Sequence, residues 1–273
     1  AHDPLVMFTV MALIVLGGLG FAVWFDLRDK LKSLLTGRVS FHKFHSTLSL
    51  HTKIVLGMSA FLIIVTAFLL LCLEYHNEET IGTFPLWGKG MSALFESVTL
   101  RTAGFASLNY AKLRLATQFL MILIMFIGGS PGGTAGGIKT TTLAVLVIYV
   151  IANLRGRVHT VMFRRTISKD IIIRAMGIFF MNMLILLLGI FFLCIFEEHG
   201  FIALAFEATS ALATVGLSIG ITSSLSVGGK IVIILLMFIG RIGITTFVLS
   251  LVSHRSNHDK NTVDYPSRTI IVG

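Results

Sequence analysis

Charged residues are scarce in this sequence. Only 13% of its 273 residues are Asp, Glu, Lys or Arg, whereas 55% are hydrophobic. An ordinary soluble domain has about twice that share of charge, and the mean hydropathy is +0.90. This composition excludes a typical soluble protein and predicts an all-α integral membrane protein.

Cysteine and paired acidic residues are also rare. Cys72 and Cys194, the only two cysteines, each lie in an apolar run, which excludes a disulfide scaffold and favours small buried side chains. The apolar runs hold no paired carboxylates, serine–histidine set or metal cluster, so an enzyme is disfavoured. His42, His45 and His51 stand among apolar neighbours and are interpreted as solvated or interfacial histidines, not as a zinc site.

The apolar residues fall into runs of membrane-spanning length. A helix needs about 20 residues to cross a bilayer, and residues 5–25, 54–73, 171–196 and 230–252 reach or approach that length. A fifth run, residues 115–152, is interrupted by glycines. Residues 91–100 and 202–213 are too short to span, and they are predicted to enter the membrane and turn back.

The net charge of +9 is distributed unevenly. Basic residues concentrate in the connections 26–53 and 153–170, and acidic residues in the alternate connections. The positive-inside rule assigns the two basic loops, with the tail 253–273, to the cytoplasm. Both short insertions then open from the outer face. The charge is a topology signal, and a nucleic-acid partner is disfavoured.

An internal repeat organises the chain. Gly104 and Gly216 lie in similar short motifs 112 residues apart, and the same offset aligns Gly128 with Gly240. This predicts two units of span, pore loop and span, residues 54–152 and 171–252. Gly17 matches the same pattern, so residues 5–25 are interpreted as the last span of a truncated repeat. The alternative is a simple glycine packing face.

The short insertions have the chemistry of a cation site. A half helix that ends inside the membrane leaves unpaired carbonyls with about half a negative charge. Phe95-Glu96 and Phe206-Glu207 are expected to open these helices. Small residues and glycine then allow extended backbone whose carbonyl oxygens can replace the hydration shell of potassium. The alternative is a helix-breaking turn.

Residues 128–137 contain six glycines and a proline. Irregular backbone at membrane depth persists only inside protein or beside water, so this break should line an ion path. A phosphate-binding loop fails because Ile138 stands where its lysine should be. Close helix packing through Gly129 and Gly133 is the alternative.

Arg241 lies inside a predicted span, where a charge costs about 3 kcal/mol on insertion scales. We expect its guanidinium to face the protein and donate to carbonyls of residues 129–137. The alternative is an arginine that simply ties two helices together.

These motifs resemble the potassium-translocating subunits of the Ktr/Trk/HKT superfamily, most of all the C-terminal part of Ktr-type B subunits. The resemblance covers nearly the whole chain and is carried by residues 99–105, 128–142, 214–218 and 237–243. It implies four span–pore loop–span repeats around one pore. The implied potassium filter comprises Thr102, Ala103, Gly104, Phe105, Thr214, Val215, Gly216 and Leu217. The implied gate comprises Gly128, Gly129, Ser130, Gly132, Gly133, Thr134, Gly136, Gly137, Lys139 and Arg241.

The resemblance also implies a physiological role. Such subunits carry K+ into the cell across the cell membrane, work as homodimers, and sit on a ring of soluble nucleotide-binding subunits. The basic loops are the expected docking face, and no nucleotide site is expected on this chain. Na+ is left open as an activator. In plant relatives a serine at a filter glycine accompanies sodium transport, and neither Gly104 nor Gly216 shows that change. A Trk-type subunit and a secondary solute symporter are the alternatives.

Overall fold

The computed structural model describes residues 3–36, 46–157, 159–163 and 165–243. It is helical apart from one two-stranded hairpin in the described chain, in agreement with the predicted all-α class. The hairpin pairs β1 (Val161–Met162) with β2 (Arg165–Thr166). The helices are α1 (Pro4–Gly18), α2 (Phe21–Leu35), α3 (Leu50–Glu74), α4 (Leu86–Thr99), α5 (Leu115–Phe126), α6 (Thr140–Leu154), α7 (Lys169–Phe196), α8 (Phe201–Leu212) and α9 (Val227–Ile242).

Among the described residues, two helices are long and apolar enough to cross a membrane by themselves. They are α3, with 25 residues, and α7, with 28 residues. The Ser49 hydroxyl caps α3 by accepting from the Thr52 backbone N–H at 3.1 Å. The predicted spans that flank the glycine break are the shorter helices α5 and α6. The last predicted span is described as far as the end of α9, and the tail 253–273 lies outside the described residues.

The predicted first span, residues 5–25, is not one continuous helix. Helix α1 ends at Gly18, and α2 leaves it at an angle of 97°. At the corner, Gly20 has φ +81°, and a Cβ there would lie 2.2 Å from the Pro131 carbonyl oxygen. The close approach of a distant loop therefore sets this bend. Helix α2 then continues into the region predicted as a loop.

The same order of elements recurs in the two halves. In each half a carboxylate that follows or ends the long span caps the start of a later helix. Glu74 accepts from the Arg114 backbone N–H at 3.0 Å, at the start of α5. Glu197 accepts from the Ser226 backbone N–H at 2.8 Å, at the start of α9. Carboxylates at helix N-termini satisfy free N–H groups and complement the helix dipole.

The core lies around the short helix α8. Every residue from 204 to 212 is buried, and α8 packs against α5, α7 and α9. The outer faces of the long helices carry exposed apolar side chains such as Phe68 and Phe180. Cys72 and Cys194 lie on these outer faces and are exposed. The expectation that they are buried is wrong, since an apolar side chain in a span can equally face lipid.

Candidate ion pathway

The two predicted filter segments, residues 102–105 and 214–217, share an unusual backbone. Thr102 and Gly104 have φ of +65° and +75°, and Thr214 and Gly216 have φ of +54° and +90°. Positive φ is strained for a β-branched residue such as threonine. The same two positions adopt it in both copies. The backbone therefore repeats the pattern that the sequence repeat indicates.

The two filter segments touch each other. A Cβ at Gly104 would lie 2.3 Å from the Val215 carbonyl oxygen, so only glycine fits there. Gly216 is less confined, because the nearest atom to a Cβ built on it is the Gly104 Cα at 3.8 Å. The structure thus brings together two stretches that are more than a hundred residues apart in sequence.

Hydrogen bonds to residues near the end of each short helix hold the filter segment that follows that helix. The Thr99 hydroxyl accepts from the Phe105 backbone N–H at 2.7 Å and lies 2.8 Å from the Phe105 carbonyl oxygen, to which it donates. In the second copy, the Val215 backbone N–H donates to the Ser210 carbonyl oxygen at 2.8 Å. These bonds stabilise the irregular backbone immediately beyond each helix end.

In each copy, one buried glutamate of the short helix binds the stretch of chain that follows the filter segment. Glu96 accepts from the Ser107 hydroxyl at 2.7 Å and from the Tyr110 hydroxyl at 2.5 Å. Glu207 accepts from the Ser218 hydroxyl and from the Thr222 hydroxyl, the latter at 3.1 Å. The expectation that these glutamates open the short helices is wrong. Both lie well inside their helices, because α4 begins ten residues before Glu96, after Pro85.

The glycine-rich break forms a closed loop, residues 127–139, which we call the glycine loop. Its neck is tied by backbone bonds: Gly128 N–H donates to the Ile138 carbonyl at 2.9 Å, and Ile138 N–H donates to the Phe126 carbonyl at 3.0 Å. A Cβ at Gly128 would lie 1.8 Å from the Gly136 carbonyl oxygen. Glycine is therefore required for the neck to close.

The glycine loop is attached to four surrounding elements. The Phe21 N–H, at the start of α2, donates to the Gly132 carbonyl at 3.3 Å. Ser130 N–H donates to the Gly18 carbonyl at the end of α1, at 3.1 Å. Gly136 N–H donates to the Thr214 hydroxyl in the second filter segment, at 3.0 Å. From α9, the Arg241 guanidinium donates to the Thr134 carbonyl at 2.8 Å. This last contact falls within the range of carbonyls expected from the sequence.

Other polar groups of the glycine loop bond within the loop and its flanks. The Lys139 ammonium donates to the Ala135 carbonyl. The buried Ser130 hydroxyl lies 3.0 Å from the Thr140 hydroxyl. These two hydrogen bonds link residues close in sequence and help to order the loop and its junction with α6.

The glycine loop separates two cavities. One, of about 380 Å³, lies between α1, the first filter segment and the loop. The other, of about 420 Å³, lies between the loop, Asn182 and Arg241. Gly133, Thr134 and Ala135 line both cavities. The tip of the loop is therefore a wall between a space beside the first predicted filter segment and a space beside α9.

A buried arginine beside the first filter segment was missed in the sequence. Arg101 is 6% exposed, and its Nη2 donates to the Ser59 hydroxyl at 2.9 Å. Its Nε has no hydrogen-bond partner in the described part of the chain. A single arginine in an otherwise apolar stretch was the available signal.

The described residues contain no group of three or more histidine, cysteine or acidic side chains that could hold a metal. Of the three histidines in the first basic loop region, His51 is described, and His42 and His45 lie outside the described residues.

Comparison with known proteins finds a matching family and several similar proteins. The TrkH family, described as cation transport protein, matches residues 1–260. Ktr system potassium uptake protein B of Bacillus subtilis is 39% identical over 99% of this chain and 57% of its own length. Potassium/sodium uptake protein NtpJ of Enterococcus hirae is 38% identical over 97% of this chain and 56% of its own length. The chain thus spans about half the length of the curated relatives it matches.

A solved structure has the same fold. The potassium transporter TrkH from Vibrio parahaemolyticus superposes with a TM-score of 0.66 over 88% of this chain and 50% of that one, at 20% identity. The family match covers nearly the whole chain and describes transport, not catalysis. With its apolar spans and this fold, the chain belongs to the TrkH family of membrane-embedded cation transport proteins.

Proposed function

We propose that this chain forms part of a potassium-uptake pathway in the cell membrane. The names of its relatives support potassium as the cargo. The observation that carries the proposal is the contact between the two filter segments, which share positive φ at a threonine and a glycine. Paired segments of this kind can turn carbonyl oxygens toward one axis, where they replace the water around a dehydrated cation.

In this proposal, residues 102–105 and 214–217 supply two parts of one potassium filter. The short helices α4 and α8 end beside these segments, so their C-terminal carbonyls add negative potential there. The buried glutamates Glu96 and Glu207 hold in place the stretches of chain that follow the two filter segments. A closed ring needs further filter segments, in keeping with relatives about twice as long as this chain.

We further propose that the glycine loop is the gate. Its tip separates the two cavities, so ions that leave the filter meet the loop. Arg241 holds the tip through Thr134 and adds a positive charge to the second cavity. Opening then requires the loop to leave Arg241, and closing restores that bond.

The proposed assembly is a homodimer on a ring of nucleotide-binding subunits. The basic loops at residues 26–53 and 153–170 would supply the docking face, because exposed arginines such as Arg155 and Arg157 follow the end of α6 there. A relative named for potassium and sodium uptake supports Na+ as a candidate activator. A Trk-type partner ring remains the alternative assembly.

The filter proposal is tested by substituting Gly216 with serine. Space exists for the new side chain, since nothing lies nearer to a Cβ there than 3.8 Å. Rubidium and sodium uptake would be compared in cells that lack other potassium-uptake systems and produce the full-length protein. We expect Gly216→Ser to lower the preference for rubidium over sodium.

The matched control is Gly220→Ser. Gly220 also has positive φ, +105°, and no atom within 4 Å of a Cβ built on it, but it lies outside the filter segment. It therefore carries a similar backbone strain without the filter contact. Equal ion preference in both variants and the unaltered protein would contradict the filter role.

A further inference from the structure

A crevice of about 390 Å³ lies at the end of the molecule where the second basic loop meets the helices. Its walls come from α3, α6, β2 and α7. His51 lies in the first turn of α3, Thr166 in β2, and Arg174 in the second turn of α7. The crevice belongs neither to the filter nor to the glycine loop, and the proposed function does not use it.

The lining of the crevice changes along the helices. Each residue adds 1.5 Å along a helix axis, so Ile54 in α3 and Ile178 in α7 lie deeper than His51 and Arg174. Ala175 and Val145 complete this deeper apolar wall. The crevice therefore joins a basic, polar mouth to an apolar interior.

The mouth presents polar groups without partners. The Nε2 atom of His51 is buried and has no hydrogen-bond partner in the described chain. Arg174 makes no hydrogen bond or ion pair with any described residue, and its side chain is exposed. The lining contains no aspartate or glutamate. The exposed Arg174 guanidinium is therefore the positive group of the mouth that a ligand can reach, and it favours a ligand that supplies anionic oxygens.

The flank of the crevice is apolar and open. Ile171 and Ile173, at the start of α7, are 51% and 66% exposed. In a membrane protein such a flank faces lipid. A free anion would gain nothing from the apolar interior, whereas an acyl chain would gain about 25 cal/mol for each Å² of surface it buries.

We propose that this crevice binds one anionic phospholipid of the cytoplasmic leaflet, with its phosphate at Arg174 and an acyl chain along Ile54 and Ile178. Basic side chains at a membrane surface attract anionic lipids by about 1 kcal/mol each. In addition to that attraction, the crevice offers an apolar interior that fits an acyl chain. Its ligand is thus an amphiphile that carries a negative headgroup.

The crevice also adjoins the glycine loop. Thr142 and Ile178 line both the crevice and the cavity that contains Arg241. A bound lipid would therefore contact the wall of the loop cavity. Any effect of lipid on the gate rests on the proposed function, whereas lipid binding itself does not.

The test measures binding, not transport. The full-length protein, stripped of lipid in detergent, would be titrated with phosphatidylglycerol, phosphatidylcholine or inorganic phosphate and observed by native mass spectrometry. We expect one tightly held phosphatidylglycerol, about fivefold weaker binding in Arg174→Gln, and near-normal binding in Arg174→Lys. Arg174 is exposed, so these changes should leave folding intact.

The control is Arg155→Gln, which removes an exposed arginine at the end of α6 that does not line the crevice. It should bind phosphatidylglycerol normally. Equal binding of the two lipids, or an equal loss in both variants, would overturn the proposal. Binding of inorganic phosphate as tight as that of the lipid would also overturn it, since the site would then recognise phosphate alone.

Discussion

Arg241 in α9 reaches Thr134 at the tip of the glycine loop, and the two residues are 107 positions apart in the chain. By the repeat offset, Arg241 occupies the position that Gly129 occupies in the preceding unit. The preceding unit breaks its helix there, whereas α9 continues to Ile242. One unit thus supplies a loop at this level, and the other supplies a helical cation that holds it.

The proposed gate predicts that Arg241→Gln increases ion flux through the resting protein. A hydrogen bond from a charged group contributes about 1.5 kcal/mol at its lower range, so its loss should shift the balance between closed and open loop about tenfold. Rubidium uptake into proteoliposomes measures this change. Lys230→Gln, an exposed basic residue at the other end of α9, is the control. Equal resting flux in all three proteins would contradict the role.

A second prediction concerns the bond between the glycine loop and the second filter segment. Thr214→Val keeps the shape of the side chain but removes the oxygen that accepts from Gly136 N–H. We expect a loss of about 1 kcal/mol and faster amide exchange in residues 133–137. Thr214→Ser, which keeps the hydroxyl, should preserve protection.

Thr102→Val is the matched control for that experiment. Thr102 holds the equivalent place in the first filter segment and also has positive φ, +65°. No hydrogen bond from its hydroxyl to the glycine loop exists among the described residues. If Thr102→Val and Thr214→Val accelerate exchange in the loop equally, backbone strain is the cause and not the hydrogen bond.

The sequence was sufficient to predict elements whose cause is local. Long apolar runs predicted α3 and α7, and short ones predicted the buried helices α4 and α8. The concentration of glycine after Ile127 predicted the break between α5 and α6. In each case composition alone indicates whether a helix can span, stop or continue at membrane depth.

Features set by distant contacts were missed. The bend at Gly20 depends on the Pro131 carbonyl, which no local pattern around Gly20 reports. The position of Glu96 was misjudged because the start of α4 was placed too late, although Pro85 was a usable start signal. The attachment of Gly136 to Thr214 joins two motifs that were each recognised, but their contact requires the folded arrangement of α5, α8 and the loop.

A third prediction concerns the buried carboxylate Glu96. Glu96→Ala leaves the Ser107 and Tyr110 hydroxyls and the Ser107 N–H without their acceptor. The expected cost is about 1–3 kcal/mol, since an unmet buried donor such as the Tyr110 hydroxyl costs at least about 1 kcal/mol and the two Ser107 donors are part-buried. Thermal unfolding in detergent, followed by loss of the monodisperse protein peak, measures it.

Glu79→Ala is the control for the Glu96 experiment. Glu79 lies 3.6 Å from Lys112 in an ion pair whose side chains are 65% and 50% exposed. Exposed pairs contribute between zero and about 1 kcal/mol. Unfolding temperatures that fall equally in the two variants would mean that Glu96 is not a structural anchor.

The last prediction concerns two glycines with opposite environments. A Cβ at Gly240 would lie 1.9 Å from the Leu212 carbonyl oxygen, whereas a Cβ at Gly177 would have no atom within 4 Å. Gly240→Ala should therefore push α9 away from the end of α8, at a cost of about 2–3 kcal/mol. Gly177→Ala, inside α7, should raise stability by about 0.5 kcal/mol, since alanine is more favourable in a helix than glycine.

Leu212 stands two residues before Thr214, so Gly240→Ala should also lower rubidium uptake, while Gly177→Ala should leave it unchanged. Thermal unfolding and uptake of the two variants, measured side by side, check both expectations. An unfolding temperature of Gly240→Ala equal to that of the unaltered protein would contradict the close approach of α9 to the end of α8.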